Sequence, residues 1–139
     1  MKRFLFISFL IMSACASADP NPLSPFRWDY RIILIAAPSE KTGELVSELK
    51  REQAAIDERH ILWFVTDGAS LATNYPQEVE KDFGQKLVDD YFDGVERVQV
   101  RLIGKDGGVK EKAEKLDLAA LFARIDAMPM RRAEMKETN

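Results

Sequence analysis

The chain has 139 residues, 46% of them hydrophobic and 31% charged, and a formal net charge of −3. That length suits one domain and is short for two, and the mild acidity argues against nucleic acid or an anionic lipid surface as the main partner. The one cysteine, Cys15, leaves no disulfide to staple the domain, so stability must come from a packed core.

Lys2 and Arg3 precede the apolar run Phe4 to Met12 and the small residues Ser13 to Ala18, the three-part layout of a secretion signal. Ala16 and Ala18 form the A-x-A pattern read by signal peptidase, which places cleavage between Ala18 and Asp19. A bilayer core needs about 20 apolar residues, far more than this run supplies, so no transmembrane segment is expected. A second reading stays open, because Met12-Ser13-Ala14-Cys15 approximates a bacterial lipobox, in which Cys15 is lipidated and becomes the first residue. The expected address is the periplasm or the exterior, with a membrane-anchored lipoprotein as the alternative.

Residues 19–25 include Pro20, Pro22 and Pro25 and read as a short extended leader. The domain is expected over residues 26–135, with Phe26 and Trp28 opening the packed region and residues 136–139 as a frayed tail. Ile32 to Ala37 and Ile61 to Val65 are continuous apolar runs without polar alternation, which suits parallel strands covered on both faces. Between them Leu45, Val46, Leu49 and Ile56 fall on one side of a helix, for which Thr42 is a candidate N-cap. A strand, helix, strand unit of this kind takes a right-handed crossover.

A second helix is expected from Asn74, where Asn74 and Gln77 have capping-box spacing and Val79, Phe83, Leu87 and Tyr91 recur every four residues, with Gly84 in its middle. The period then changes to two at Val98, Val100 and Leu102, and Gly104-Lys105-Asp106-Gly107-Gly108 turns the chain back into a strand through Val109. Asp117 is the N-cap of a last helix, with Leu116 and Leu121 as a hydrophobic staple and Leu118, Leu121, Phe122, Ile125 and Met128 as its apolar stripe. Pro129 ends or kinks it, and the polar stretch from Arg131 to Asn139 is expected to fray. A parallel β-α-β unit, a helix, an antiparallel hairpin and a covering helix make an α/β, thioredoxin-like arrangement on a central four-stranded mixed sheet.

Several stretches carry a family resemblance. Arg31-Ile32-Ile33-Leu34-Ile35-Ala36-Ala37-Pro38, Glu58-Arg59-His60-Ile61-Leu62-Trp63-Phe64, Leu102-Ile103-Gly104-Lys105-Asp106-Gly107-Gly108-Val109-Lys110, Leu116-Asp117-Leu118-Ala119-Ala120-Leu121-Phe122 and Ile125-Asp126-Ala127-Met128-Pro129-Met130-Arg131 are similar to a bacterial family of unknown function, DUF4174. That family resembles a domain of secreted animal sushi-repeat proteins and a peroxiredoxin-like branch of the thioredoxin superfamily. The resemblance implies this fold and export, and no established activity. His60 departs from the Asp that relatives tend to carry after the arginine, so no shared role passes to it.

In thioredoxins and peroxiredoxins the reactive cysteine sits where the first strand enters the first helix, since helix N–H groups stabilise a thiolate. Here that stretch is Pro38-Ser39-Glu40-Lys41-Thr42-Gly43, so thiol redox chemistry has no thiol to use. The same loop is a candidate ligand rim, with Pro38, Ser39, Lys41 and Thr42 joined by Asp67 at the end of the second strand. The competing reading is ordinary capping by Ser39 or Thr42, and by Asp67 of the turn at Gly68. Lys105 to Gly108 lacks the helix a phosphate loop requires and reads as a hairpin turn. His60, the sole histidine, is either an acid or base beside Asp57 or Glu58, or a satisfied strand-entry residue.

Arg131 and Arg132 either grip a carboxylate or phosphate, or stay solvated or interact with the helix C-terminus just before them. No ligand spacing for a metal is recognisable and no cofactor is expected. The function expected is a non-catalytic module binding a protein or small ligand, with a cysteine-independent enzyme as the alternative.

Overall fold

The computed structural model describes residues 20–139. The expected secretion signal, its Ala18–Asp19 cleavage point and Cys15 lie outside the described residues.

The centre of the fold is a parallel pair, β1 (Arg31–Ala36) and β2 (Ile61–Thr66), in register from Arg31 opposite Ile61 to Ala36 opposite Thr66. Every residue of both strands is buried, because strand side chains alternate between two covered faces. Ile33 and Ile35 enter one apolar cluster, while Ile32 and Leu34 enter the other. The crossover runs through α1 (Ser39–Arg51) and α2 (Gln53–Glu58), whose Leu45, Leu49 and Ile56 lie in the first cluster. A single helix was the expectation, but Glu52 N–H donates to Leu49 O at 3.1 Å, a tightened turn that separates the two.

Strand β3 (Leu71–Thr73) pairs antiparallel with the outer edge of β2, giving five strands in the order β3-β2-β1-β4-β5. It is too short to leave a periodic trace in the sequence. Asn74 does not cap a helix. Its Oδ1 accepts from Trp63 N at 2.8 Å and its Nδ2 donates to Ile61 O at 3.1 Å, which satisfies the β2 edge where β3 stops. Helix α3 therefore starts only at Phe83 and runs to Tyr91, and Pro76, which disfavours helix at Tyr75, separates it from Asn74. Gly84 sits in its first turn, where an added Cβ would meet Thr66 Oγ1 at 2.6 Å. The glycine thus permits α3 to approach the end of β2.

Strands β4 (Gln99–Ile103) and β5 (Val109–Ala113) form the expected hairpin, with β4 antiparallel to β1. Gly107, at φ 85, supplies the left-handed turn residue. Helix α4 (Leu118–Asp126) starts at Asp117, whose side chain accepts from Ala120 N at 3.0 Å, a cap worth about 1 kcal/mol.

Two terminal expectations are corrected. The polar stretch after Met128 does not fray: it forms α5 (Pro129–Glu137), with Pro129 in its first turn and Arg131 buried. At the other end a short 3-10 turn, Ser24–Phe26, brings Leu23 and Phe26 into the second cluster, so packing begins inside the expected leader. Trp28, expected to pack, is 61% exposed. The result is a mixed α/β fold whose β2-β1-β4-β5 sheet has the thioredoxin-like arrangement, extended by β3. Its sheet has two ends that carry polar side chains: the carboxyl ends of β1 and β2, and the opposite end where Arg31, His60 and Lys105 lie.

Candidate functional site

At the carboxyl ends of β1 and β2 the structure brings Ser39 and Asp67 together. Pro38 occupies the N-cap position of α1 without a side-chain hydrogen bond, and Ser39 opens the helix. Ser39 Oγ donates to Asp67 Oδ2 at 2.7 Å. Asp67 Oδ1 accepts from Ala69 N at 3.0 Å, Ser70 N at 2.7 Å and Ser70 Oγ at 2.9 Å. Asp67 is therefore linked to Ser39 and caps its own turn at once. The Ser39 hydroxyl, then the Ser70 N–H, with the Ser70 hydroxyl and Ala69 N–H adding to them, hold the carboxyl at about 2 against the opposing effect of burial.

That arrangement limits the chemistry of the corner. A carboxylate so well satisfied is a weak base, and it already puts a negative charge at the start of α1, where an anionic ligand would have to sit. Thr42 is not the helix cap: it lies inside α1, and its Oγ1 donates back to Ser39 O at 2.9 Å. Lys41 is exposed on the same turn.

The opposite end holds a network that the sequence reading did not assemble. Arg31, at the first position of β1, is 1% exposed. Its two terminal nitrogens each donate to a carboxylate oxygen of Glu134 on α5 at 3.1 Å, and Nη1 also donates to Arg59 O at 3.0 Å. Lys105, just past β4, donates to Glu134 Oε1 at 2.7 Å and lies 3.1 Å from His60 Nδ1. Burial pushes the Glu134 carboxyl up, but the hydrogen bonds and charges of Arg31 and Lys105 outweigh it and hold the group at about 2.

A second carboxylate, Asp126 at the end of α4, ties two more arginines into the same end. Arg59 grips it in bidentate fashion at 3.0 and 2.8 Å, and its guanidinium lies 4.6 Å from the Phe122 ring centroid. Arg131 donates to Asp126 Oδ1 at 3.2 Å, to Glu58 Oε1 at 2.9 Å and to Glu58 O at 3.1 Å. The hydrogen bonds from Arg59 and Arg131 lower the Asp126 carboxyl despite its partial burial. Arg131 thus grips carboxylates of its own chain, while Arg132 is exposed. His60 has φ 53, a left-handed strand-entry residue whose O accepts from Arg31 N at 2.9 Å.

Beside this network is a cleft of about 410 Å³. Arg31, Lys105, Lys110 and Arg124 line its charged side, and Met128 and Met130 its apolar side. Asp106 also reaches it, but Lys110 already pairs with that carboxylate at 2.8 Å and lowers its pKa. The Lys105-Asp106-Gly107-Gly108 stretch is a hairpin turn, as expected, with Gly104 N donating to Gly108 O at 2.9 Å.

The pieces that build this end are the Arg31 run, the Arg59-His60 pair, the Lys105 hairpin and the Met128-Pro129-Met130-Arg131 segment. A family profile, Domain of unknown function (DUF4174), matches residues 22–134 and so takes in all of them. The chain belongs to the DUF4174 family. No curated protein and no solved structure matches it. Among the described residues no group of three or more His, Cys, Asp or Glu is placed to hold a metal, and no helix is long and apolar enough to cross a membrane.

The sequence reading missed Arg31, Arg59, Lys105, Asp126 and Glu134 as a set. Glu134 and Arg131, three residues apart on one polar stretch, were the available signal, but only if that stretch is a helix.

Proposed function

We propose that this DUF4174 domain is an exported, non-catalytic binding module for a protein or small ligand, and that its binding face is the charged end at Arg31, Lys105 and α5. The observation that carries this is the contrast between the two ends. At the corner Asp67 is satisfied by four hydrogen bonds, whereas the other end surrounds an open cleft with buried cations. Burying charge costs free energy that a purely structural end avoids more cheaply with apolar side chains. The N-terminal layout of Lys2 to Ala18 supports export, and the absence of cysteine beyond Cys15 supports a role other than thiol chemistry.

The test is a thermal-shift screen of chemically diverse small molecules, together with capture from periplasmic extract, on wild type and two surface variants. Lys110→Glu alters the charged end and Lys41→Glu alters the corner. Binding that survives Lys41→Glu and is lost in Lys110→Glu is the expected result. The opposite pattern, or no reproducible ligand or partner, contradicts the proposal.

One competing reading has a specific observation behind it. The 2.7 Å hydrogen bond between Ser39 and Asp67 is the geometry of a nucleophile beside a carboxylate. A cysteine-independent enzyme using that pair loses turnover in Ser39→Ala, and an activity abolished there favours it over the binding module.

A further inference from the structure

We propose that the cleft beside α5 binds a small organic oxyanion, a carboxylate or phosphate head carrying a short apolar body. This rests on reading the charged end as the binding face and adds the chemistry of the ligand.

Charge is the first argument. Arg31, Arg59, Lys105 and Arg131 face Glu58, Asp126 and Glu134, so cations exceed carboxylates by one in this network. The imbalance is concentrated at the cleft, because Arg31 and Lys105 share Glu134 as their one carboxylate partner among the described residues. Arg31 is 1% and Lys105 9% exposed, so water does little to screen the surplus. Of the three ammonium N–H bonds of Lys105, one is directed at Glu134 and one at His60. The third has no partner among the described residues and remains for a ligand oxygen.

Helix α5 supplies the second argument. Its N-cap, Met128, makes no side-chain cap hydrogen bond, and its first turn contains no acidic residue. Arg131 is already compensated there by Asp126 and Glu58, but Arg132 adds an exposed cation at the positive end of the helix dipole, an arrangement that an incoming anion relieves. The N–H groups of Met130 and Arg131 have no intrahelical acceptor, and Met128, Pro129 and Met130 line the cleft.

The apolar wall sets the rest of the ligand. Met130 is 45% exposed, and with Met128 it offers flexible, polarizable surface next to the cations. A bare inorganic ion leaves that wall in water, and a neutral apolar molecule leaves the buried charge uncompensated. At about 410 Å³ the cleft takes a small molecule rather than a polymer.

Isothermal titration with hexanoate, hexyl phosphate, inorganic phosphate and 1-hexanol tests this. Saturable one-to-one binding of at least one hexyl anion is expected, about tenfold or more tighter than inorganic phosphate or hexanol, and the tighter of the two anions identifies the head group. Lys105→Met should weaken it about tenfold. Lys105 is buried and that variant can fail to fold, so Met130→Glu, at an exposed position, must also weaken binding about tenfold by placing a negative charge at the mouth. Equal affinity for hexanol, equal affinity for inorganic phosphate, no saturable heat with either hexyl anion, or unchanged affinity in Met130→Glu overturns the inference. If the hexyl anions fail while the screen finds a neutral or cationic ligand that Lys110→Glu abolishes, the charged end remains the binding face and only the anion chemistry falls.

Discussion

Arg31 and Glu134 lie 103 residues apart in the chain and are joined by two parallel hydrogen bonds of 3.1 Å, with the arginine wholly inside the protein. This pair fastens the last helix to the first strand. A planar guanidinium and a carboxylate match in bidentate geometry, which Lys at position 31 cannot reproduce. Because Lys105 uses the same carboxylate, Glu134 is the point on which the charged end depends.

Removing that carboxylate strands two buried cations. Glu134→Gln is expected to lower unfolding free energy by about 3 kcal/mol, the usual scale for breaking a buried pair from one side. Urea denaturation measures it, and Glu137→Gln, at an exposed position on the same helix, should stay within about 0.5 kcal/mol of wild type.

The same group makes stability depend on pH in a defined window. Its folded-state pKa is depressed from 4.5 to about 2, so the unfolded chain binds the proton more readily. The stabilisation is fully present above 4.5 and is lost as pH falls toward about 2. Asp67 and Asp126 act in the same direction, so the profile is a sum. Acid titration of unfolding free energy should be shallower in Glu134→Gln than in wild type between those two pH values.

At the corner, Ser39 is the largest cause of the low Asp67 pKa. Ser39→Ala should move that carboxyl upward, toward its ordinary 3.8, which side-chain carboxyl NMR reads directly. Global stability should change by less than about 1 kcal/mol, since the hydroxyl is exposed.

Gly84→Ala places a Cβ 2.6 Å from Thr66 Oγ1. Thr66 cannot rotate away freely, because that hydroxyl donates to Ser70 O at 2.7 Å and accepts from Gly68 N at 2.9 Å. Helix propensity favours alanine by about 1 kcal/mol, but displacing α3 from β2 should cost about 1–3 kcal/mol and leave the variant less stable in thermal unfolding.

Much of the fold was legible because its signals are local or periodic. The apolar runs of β1 and β2, the two-residue alternation of β4, the glycine turn and the Asp117 cap each declare themselves within a few residues. Asn74 and Gln77 misled for a related reason. Their spacing imitates a helix start, and only the tertiary need to satisfy the β2 edge shows that Asn74 serves a strand. Helix α5 was illegible because its stability comes from ion pairs to Arg31, Lys105 and Glu58, which a single polar stretch cannot reveal.

The candidate site divides in the same way. Ser39 and Asp67 could be brought together from topology alone, since strand ends of a parallel pair share one edge. The charged end required knowing that Arg31, Arg59, Lys105 and Arg131 point inward, and charged residues flanking strands ordinarily read as solvated.

Amide chemical-shift mapping during a hexanoate titration tests most directly which end of the sheet binds. Shifts confined to Arg31, Lys105 and residues 127–131, with Ser39, Lys41, Thr42 and Asp67 unmoved, are the predicted result. Shifts centred on Ser39 to Thr42 and Asp67, with the α5 end silent, would contradict the assignment of the charged end as the binding face.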